Sequence, residues 1–358
     1  MLTSEMSFDP IAFTRQLVDI ESTTYHEAPA GEFLRDYFTR HGWRVETQAV
    51  KQPDAAKTPG GGRGDRVNVY ARTEASPLLV FSTHMDTVPP FLGPCREDAT
   101  HLYGRGTCDA KGILAAQIAA AERLRAEGYA IGVLAVVGEE RDSAGAKEAN
   151  RLASSSWLDR PKFLVNGEPT ENKLALASKG CLRVELYAHG KAAHSAYPEL
   201  GESAVDKLLR ALQAIQELKL PVVEGIGDTT CNIGLLSGGR APNVIADEAE
   251  AHLLVRLVGP SEEIRAGIER CCMGLCDVEF SLELPFVQMR ALPGFDTMVA
   301  KYTTDIPSLT HWGEPFLLGP GTIHVAHTPD ERIAKQELLD CVDLYVKLAK
   351  ALLDPASM

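Results

Sequence analysis

The sequence predicts a two-domain α/β protein, a mixed sheet sandwiched by helices, whose chain is interrupted by an inserted ferredoxin-like α+β domain. Three observations lead there. The apolar runs PLLVFSTHMD, IGVLAVVGEE and KFLVNGEP each end in polar residues, and the helical stretch AKGILAAQIAAAERLRAEG separates the first two. Strands of that kind, alternating with helices, are buried on both faces. From Leu176 the pattern becomes strand, helix, strand, strand, helix, strand, the split βαβ order of a ferredoxin-like unit. The first pattern then resumes with PFLLGP, a loop and a final helix, and a chain of 358 residues exceeds the size of one hydrophobic core. The expected division is 1–176 with 286–358 for the sandwich and 177–285 for the insertion.

Taken in order, two amphipathic segments open the chain, Pro10 to Glu21 and Glu27 to His41, the second stopped by Gly42 in the manner of a helix C-cap. Strand-like WRVETQAV and RVNVYART follow, joined by TPGGGRGD. That loop lacks Lys-Ser/Thr and precedes no helix, so it reads as a hairpin connection and not a phosphate cradle. Within the insertion, CLRVELYAHG, CNIGLLSGG, EAEAHLLVRL and DVEFSLEL are the strands. Helices are expected from Glu202 to Leu218 and from Ser261 to Arg270.

A formal charge of −13 argues against nucleic acid or an anionic membrane surface as partner. No stretch approaches the roughly 20 apolar residues that span a bilayer, and the first residues lack a basic region followed by an apolar core. A cytoplasmic location is the expectation. Eight cysteines, at 95, 108, 181, 231, 271, 272, 276 and 341, lack the paired spacing of a zinc ribbon or disulfide framework and read as reduced thiols. Cys271, Cys272 and Cys276 come closest to a metal pattern, but they close a helical segment, where free cysteine acts as a small hydrophobe.

The chemistry-bearing residues fall at strand ends, where ligands bind in α/β sheets. His84 and Asp86 stand two apart after the first apolar strand, so both side chains point the same way and the carboxylate can orient the imidazole. A strand-end polar pair would look the same. Asp109 lies in GRGTCDAKG ahead of the long helix, placed to bridge two cations or to cap that helix. Glu139 and Glu140 are adjacent carboxylates after an apolar strand, costly to desolvate unless a cation or proton neutralises them. Neighbours on an extended chain point oppositely, so one can ligate while the other serves as general base; the rival is a solvated acidic turn. Glu168 in NGEPT and His327 in VAHTPDE complete a nitrogen and oxygen donor set suited to Zn²⁺, Co²⁺ or Mn²⁺.

The segments HMDTVPP, GRGTCDAKG, GEE, GEPT, GKAAHSAYPELGESA and LLGPGTIHVAHTPDE, in that order, closely resemble the metallopeptidase-like family of acetylornithine deacetylase, succinyl-diaminopimelate desuccinylase and glutamate carboxypeptidase. The resemblance covers essentially the whole chain and implies a zinc aminopeptidase-like sandwich. It further implies that His84, Asp109 and Glu168 hold one divalent ion and Asp109, Glu140 and His327 the other. Asp86 would then orient His84, and Glu139 would be the general base. The two ions, most simply zinc, would activate a water between them and polarise the scissile carbonyl. The insertion would carry a homodimer contact, and His194 would stabilise the oxyanion in a partner subunit. Asn243, Arg256 and Gly321 would bind substrate, the guanidinium gripping a carboxylate.

Within the resemblance, YTTDIPSLTHWGEPFLLGPGTIHVAHTPDE is more like acetylornithine deacetylases, because the desuccinylase segment STGGTSD is absent. The leading expectation is a deacetylase of N-acetyl-ornithine, -citrulline or -lysine in arginine or lysine biosynthesis. A desuccinylase and a metallo-carboxypeptidase or dipeptidase are the alternatives. Glu at 168, where aminopeptidase and dipeptidase members carry Asp, weakens the dipeptidase assignment. A catalytically silent metal-binding homologue would show a lost base or ligand, and Glu139 and all five ligand positions are filled.

Overall fold

Ten strands build the two principal sheets of the computed structural model, which describes residues 8–52, 66–153 and 160–354. The loop TPGGGRGD lies outside the described residues. In chain order the strands are β1 (Arg44–Val50), β2 (Arg66–Arg72), β3 (Leu79–His84), β4 (Ile131–Val136) and β5 (Phe163–Asn166). They continue with β6 (Gly180–His189), β7 (Thr230–Gly238), β8 (Glu248–Leu257), β9 (Asp277–Leu284) and β10 (Glu314–Leu317). The helices are α1 (Pro10–Val18), α2 (Ala28–Arg40), α3 (Lys111–Ala126), α4 (Ala144–Ala153), α5 (Ala204–Gln216), α6 (Glu262–Cys272) and α7 (Lys335–Leu353).

Two compact units result. The first takes the chain up to Ala175, Met289–Met298 and the residues from Thr304 onward; the second takes Leu176–Gln288 and Val299–Thr303. The short return segment belongs to the second unit, a detail that the expected limits of 177 and 285 do not contain.

In the first unit a six-stranded sheet runs β1-β2-β4-β3-β5-β10. Strands β4, β3, β5 and the edge strand β10 are parallel, while β2 pairs antiparallel with β4 and β1 antiparallel with β2, so the sheet is mixed. Side chains alternate between two cores, as the two-residue period of a strand requires. Phe81, Val133, Ala135 and Val165 enter the core shared with α1, α2, α3 and α7, while Tyr70, Val80, Leu134 and Leu164 enter the one formed with α4 and Trp312. Both faces being covered explains why these strands read as unbroken apolar runs. Helix α3 is buried nearly all round by alanines that let it lie close to the sheet and to α7.

The second unit is an antiparallel sheet in the order β7-β8-β6-β9. One face is covered by α5 and α6 through Leu182, Val184, Leu253, Val255, Leu208 and Ile268. Ser203 caps α5, its side chain accepting the Asp206 N–H. The chain order of β6, α5, β7, β8, α6 and β9 is the split βαβ arrangement. Strand β7 forms an open edge.

Candidate metal centre

Parallel strands deliver their carboxyl ends to one side of the sheet, and the acidic and histidine residues gather there. His84 is the last residue of β3, Glu139 and Glu140 follow β4 after Gly138, Glu168 follows β5, and Asp109 precedes α3. Gly138 has φ +79°, and a Cβ there would meet the Arg66 guanidinium. The turn that presents the two glutamates therefore requires glycine.

Asp109 lies at the middle of the group. His84 Nε2 is 3.0 Å from its Oδ1, and His327 Nε2 is 3.4 Å from its Oδ2. His327 Nε2 is also 3.1 Å from both carboxylate oxygens of Glu140. Ligand atoms of His84, Asp109 and Glu140 all lie within 4.8 Å of one another. Each oxygen of one carboxylate thus faces a different histidine, the arrangement a ligand shared by two ions needs.

The electrostatics point the same way. Burial pushes the carboxyls of Glu139, Glu140 and Glu168 up, with neighbouring acids adding to the shift in each case. Burial would lower the imidazole of His84, yet Asp109 and Asp86 hold it well above its ordinary value. Asp109 and Glu140 raise His327 to about 10. Glu168 is buried and its Oε1 has no hydrogen-bond partner. So many ionisable acids in one buried place are costly unless cations share their charge. A carboxylate oxygen left free there fits the same requirement, so the donor set suits a pair of divalent cations.

Asp86 lies beside His84 and has further partners that its position in the sequence does not announce. The His84 Nδ1 lies 2.9 Å from the backbone carbonyl of Asp86 and 3.6 Å from its carboxylate. That carboxylate accepts the Glu139 N–H at 3.1 Å, the Glu140 N–H at 3.3 Å and the Thr24 hydroxyl at 2.9 Å. It ties the end of β3 to the loop after β4. Thr24 has no motif that marks it. Asp305 is a further site carboxylate outside the motifs, buried and pushed up to about 6 by burial; its charge acts on Glu139 and Glu168. Its only sequence signal is an acid in the stretch YTTDIPS.

Gly321 has structural requirements of its own. It has φ +83°, a Cβ would come within 2.5 Å of Cys108 Sγ, and its N–H donates to Glu337 Oε1 at 2.8 Å. Its carbonyl accepts the Glu171 N–H at 2.8 Å, so both backbone groups are already partnered. In the second unit, a bridge between His194 and Val244 places the His194 and Asn243 loops side by side, both residues exposed. Ser195 N donates to the Asn243 carbonyl at 3.0 Å. Arg256 lies near the other end of β8, which spans roughly 26 Å from Glu248 to Arg256 at ~3.3 Å per residue. Arg256 and the loop that carries Asn243 thus lie toward opposite ends of β8. Cys271, Cys272 and Cys276 are free thiols raised by burial, and Cys272 belongs to the core of the second unit.

Comparison with known proteins follows the same lines. The description "Peptidase dimerisation domain" matches residues 176–271. A peptidase M20 domain-containing protein of Schizosaccharomyces pombe is 36% identical over 350 residues, covering 94% of this chain and 83% of that protein. The chain belongs to the M20 peptidase family. A probable carboxypeptidase of Aspergillus fumigatus is 37% identical over 393 residues, covering 96% of this chain and 87% of its own length. Among solved structures, a tripeptidase from Staphylococcus aureus superposes with a TM-score of 0.74 at 25% identity, over 94% of this chain and 96% of that one. The Bacillus subtilis YXEP protein, described as a dinuclear metal binding peptidase from the M20 family, superposes at 0.67 with 16% identity, over 96% and 98%.

As an M20 family member the protein is a metallopeptidase-type hydrolase of amide or peptide bonds. These relatives carry peptidase and carboxypeptidase descriptions, not that of an acetylornithine deacetylase. Among the described residues no helix is long and apolar enough to cross a membrane.

Proposed function

We propose that the protein is a metal-dependent carboxypeptidase-type hydrolase, releasing the carboxyl-terminal amino acid of a short peptide or N-acyl amino acid. The observation that carries the reading is the Asp109 carboxylate, one oxygen toward His84 and the other toward His327, with the buried Glu139 carboxyl in the same charged cluster as His84, Glu140 and Glu168. His84, Asp109 and Glu168 would hold one divalent ion, and Asp109, Glu140 and His327 the other. When bound, such ions supply Lewis acidity toward the scissile carbonyl and lower the pKa of water. Glu139 takes a proton from the attacking water as general base and passes it to the leaving amine as the C–N bond breaks. Asp86 holds the Glu139 and Glu140 amides so that the two side chains keep separate tasks.

His194 is suited to stabilise the oxyanion from a partner subunit. Its Nδ1 accepts the Ala196 N–H at 3.2 Å, which leaves the proton of the neutral ring on Nε2 as an outward donor. A homodimer through the second unit is supported by the dimerisation-domain match and by the open edge of β7, where Leu235 and Leu236 are exposed. Arg256 of one copy with Asn243 of the other would then grip the substrate carboxylate.

The probable carboxypeptidase relatives favour this substrate class over N-acetylornithine-type deacetylation, and Glu168 weighs only against a dipeptidase. A chelator-sensitive assay decides, using N-blocked dipeptides, their carboxyl-terminal amides, and N-acetyl and N-succinyl derivatives of ornithine, citrulline, lysine and diaminopimelate. Release of the terminal amino acid from free acids but not amides is expected. Turnover confined to the N-acetyl basic amino acids would return the assignment to the deacetylases; no chelator-sensitive turnover of any compound would overturn the enzyme reading.

A further inference from the structure

The loops that carry Asp109 and His327 are joined by a buried pair that the site described above does not use. Glu331, four residues beyond His327, is 1% exposed. Its Oε1 accepts the N–H groups of Gly106 at 2.8 Å, Cys108 at 3.3 Å and Asp109 at 3.1 Å. Its Oε2 accepts Arg105 Nη1 at 2.5 Å. The same Nη1 donates at 3.2 Å to the carbonyl of Thr328, the residue after His327. Gly104 N donates to the Glu331 carbonyl at 3.0 Å, so main chain and side chain fasten the same two loops.

We propose that Glu331 and Arg105 form a positioning pair that sets the spacing of Asp109 from His327, and thereby the affinity for the ion those side chains would share. The inference rests on the two-ion reading. Four donors converge on the Glu331 carboxylate, so it is occupied as an acceptor and is not a sixth ligand. Arg105, 3% exposed and engaged twice, is likewise not a substrate clamp. A carboxylate is required because three amides need acceptors and the buried guanidinium needs a counter-charge. A glutamine keeps the size but turns an NH₂ toward Arg105 or toward the amides. Groups that orient ligands from behind in this way typically change metal affinity 10–100-fold when altered.

The test uses full-length protein stripped by chelation and titrated with Co²⁺, followed by calorimetry and visible absorption, for wild type, Glu331→Gln and Arg105→Lys. Wild type is expected to bind two equivalents. Glu331→Gln should weaken one of them roughly 10–100-fold, alter the cobalt absorption and lower kcat with KM changed by no more than about threefold. Arg105→Lys, which leaves the three-amide contact in place, should weaken the same equivalent by a smaller factor. Unchanged cobalt affinity and absorption with only a lower Tm would reduce the pair to a structural staple and overturn the inference. If Glu331→Gln does not fold, Arg105→Lys decides on the same readout. Failure of wild type to bind cobalt would instead overturn the two-ion reading beneath it.

Discussion

In the proposed mechanism two neighbours in VVGEE carry separate duties, and their backbone is what allows it. Asp86 accepts both amides, which fixes the turn and lets Glu140 face His327 while Glu139 remains free to move a proton. Glu139→Ala is expected to keep both ions and lose roughly 10²–10⁴ in kcat, the usual weight of a general base; metal analysis beside steady-state kinetics checks it, and near-normal turnover would refute the assignment. Gly321→Ala should destabilise by about 1–3 kcal/mol through positive φ and the contact with Cys108 Sγ. Adding Cys108→Ala should recover part of the loss in denaturant unfolding, and strict additivity would refute the clash. The strand-end residues were legible because each follows its own apolar run. Thr24, Asp305 and Glu331 were not, since their partners Asp86, Glu139 and the Asp109 loop come from distant stretches of chain.

Helix α3 shows why a buried element can hold a charge. Lys111 lies at its start, fully enclosed, and donates to the carbonyls of Leu17 at 2.9 Å and Ile20 at 2.6 Å at the end of α1. Burial pushes its ammonium down to about 7, so the bonds are opposed by desolvation. Lys111→Met relieves the second effect and forfeits the first. Leaving buried carbonyls unpartnered costs about 1–3 kcal/mol, and a net loss within that range is expected in chemical denaturation; no loss would mean that the two effects cancel. The long apolar strands and the strands of the insertion were readable because β8 and β9 alternate cleanly. Helix α4 was not, because its buried residues are Gly145, Ala146, Ala149 and Ala153, too small to mark an apolar stripe.

The whole molecule adds two expectations. If cations offset the repulsion among Glu139, Glu140 and Glu168, removing them should lower Tm reversibly. A ligand at 100 times its Kd stabilises by about 2.7 kcal/mol, which thermal scans with and without chelator will register; an unchanged Tm would count against the site. Leu235→Glu with Leu236→Glu should yield monomers by light scattering and, if His194 works across subunits, a matching fall in kcat. A dimer that survives both changes would remove β7 from the interface. The two-unit layout was legible from the switch in strand and helix order at Leu176. The return of Val299–Thr303 to the second unit was not, because a short segment carries no periodicity of its own.

The pairing of β7 with β8 shifts register between Ile233 and Leu235, leaving Gly234 as an extra residue. A bulge of this kind shifts the in-and-out alternation, and the two leucines that follow it, on opposite faces of the edge strand, are both exposed. Such an edge is a ready template for any extended chain that meets it. On the homodimer reading, a subunit newly released from the ribosome carries a sticky margin until a like copy arrives. Dilution, which favours separation of most pairs, would on that reading trade a safe partner for indiscriminate ones.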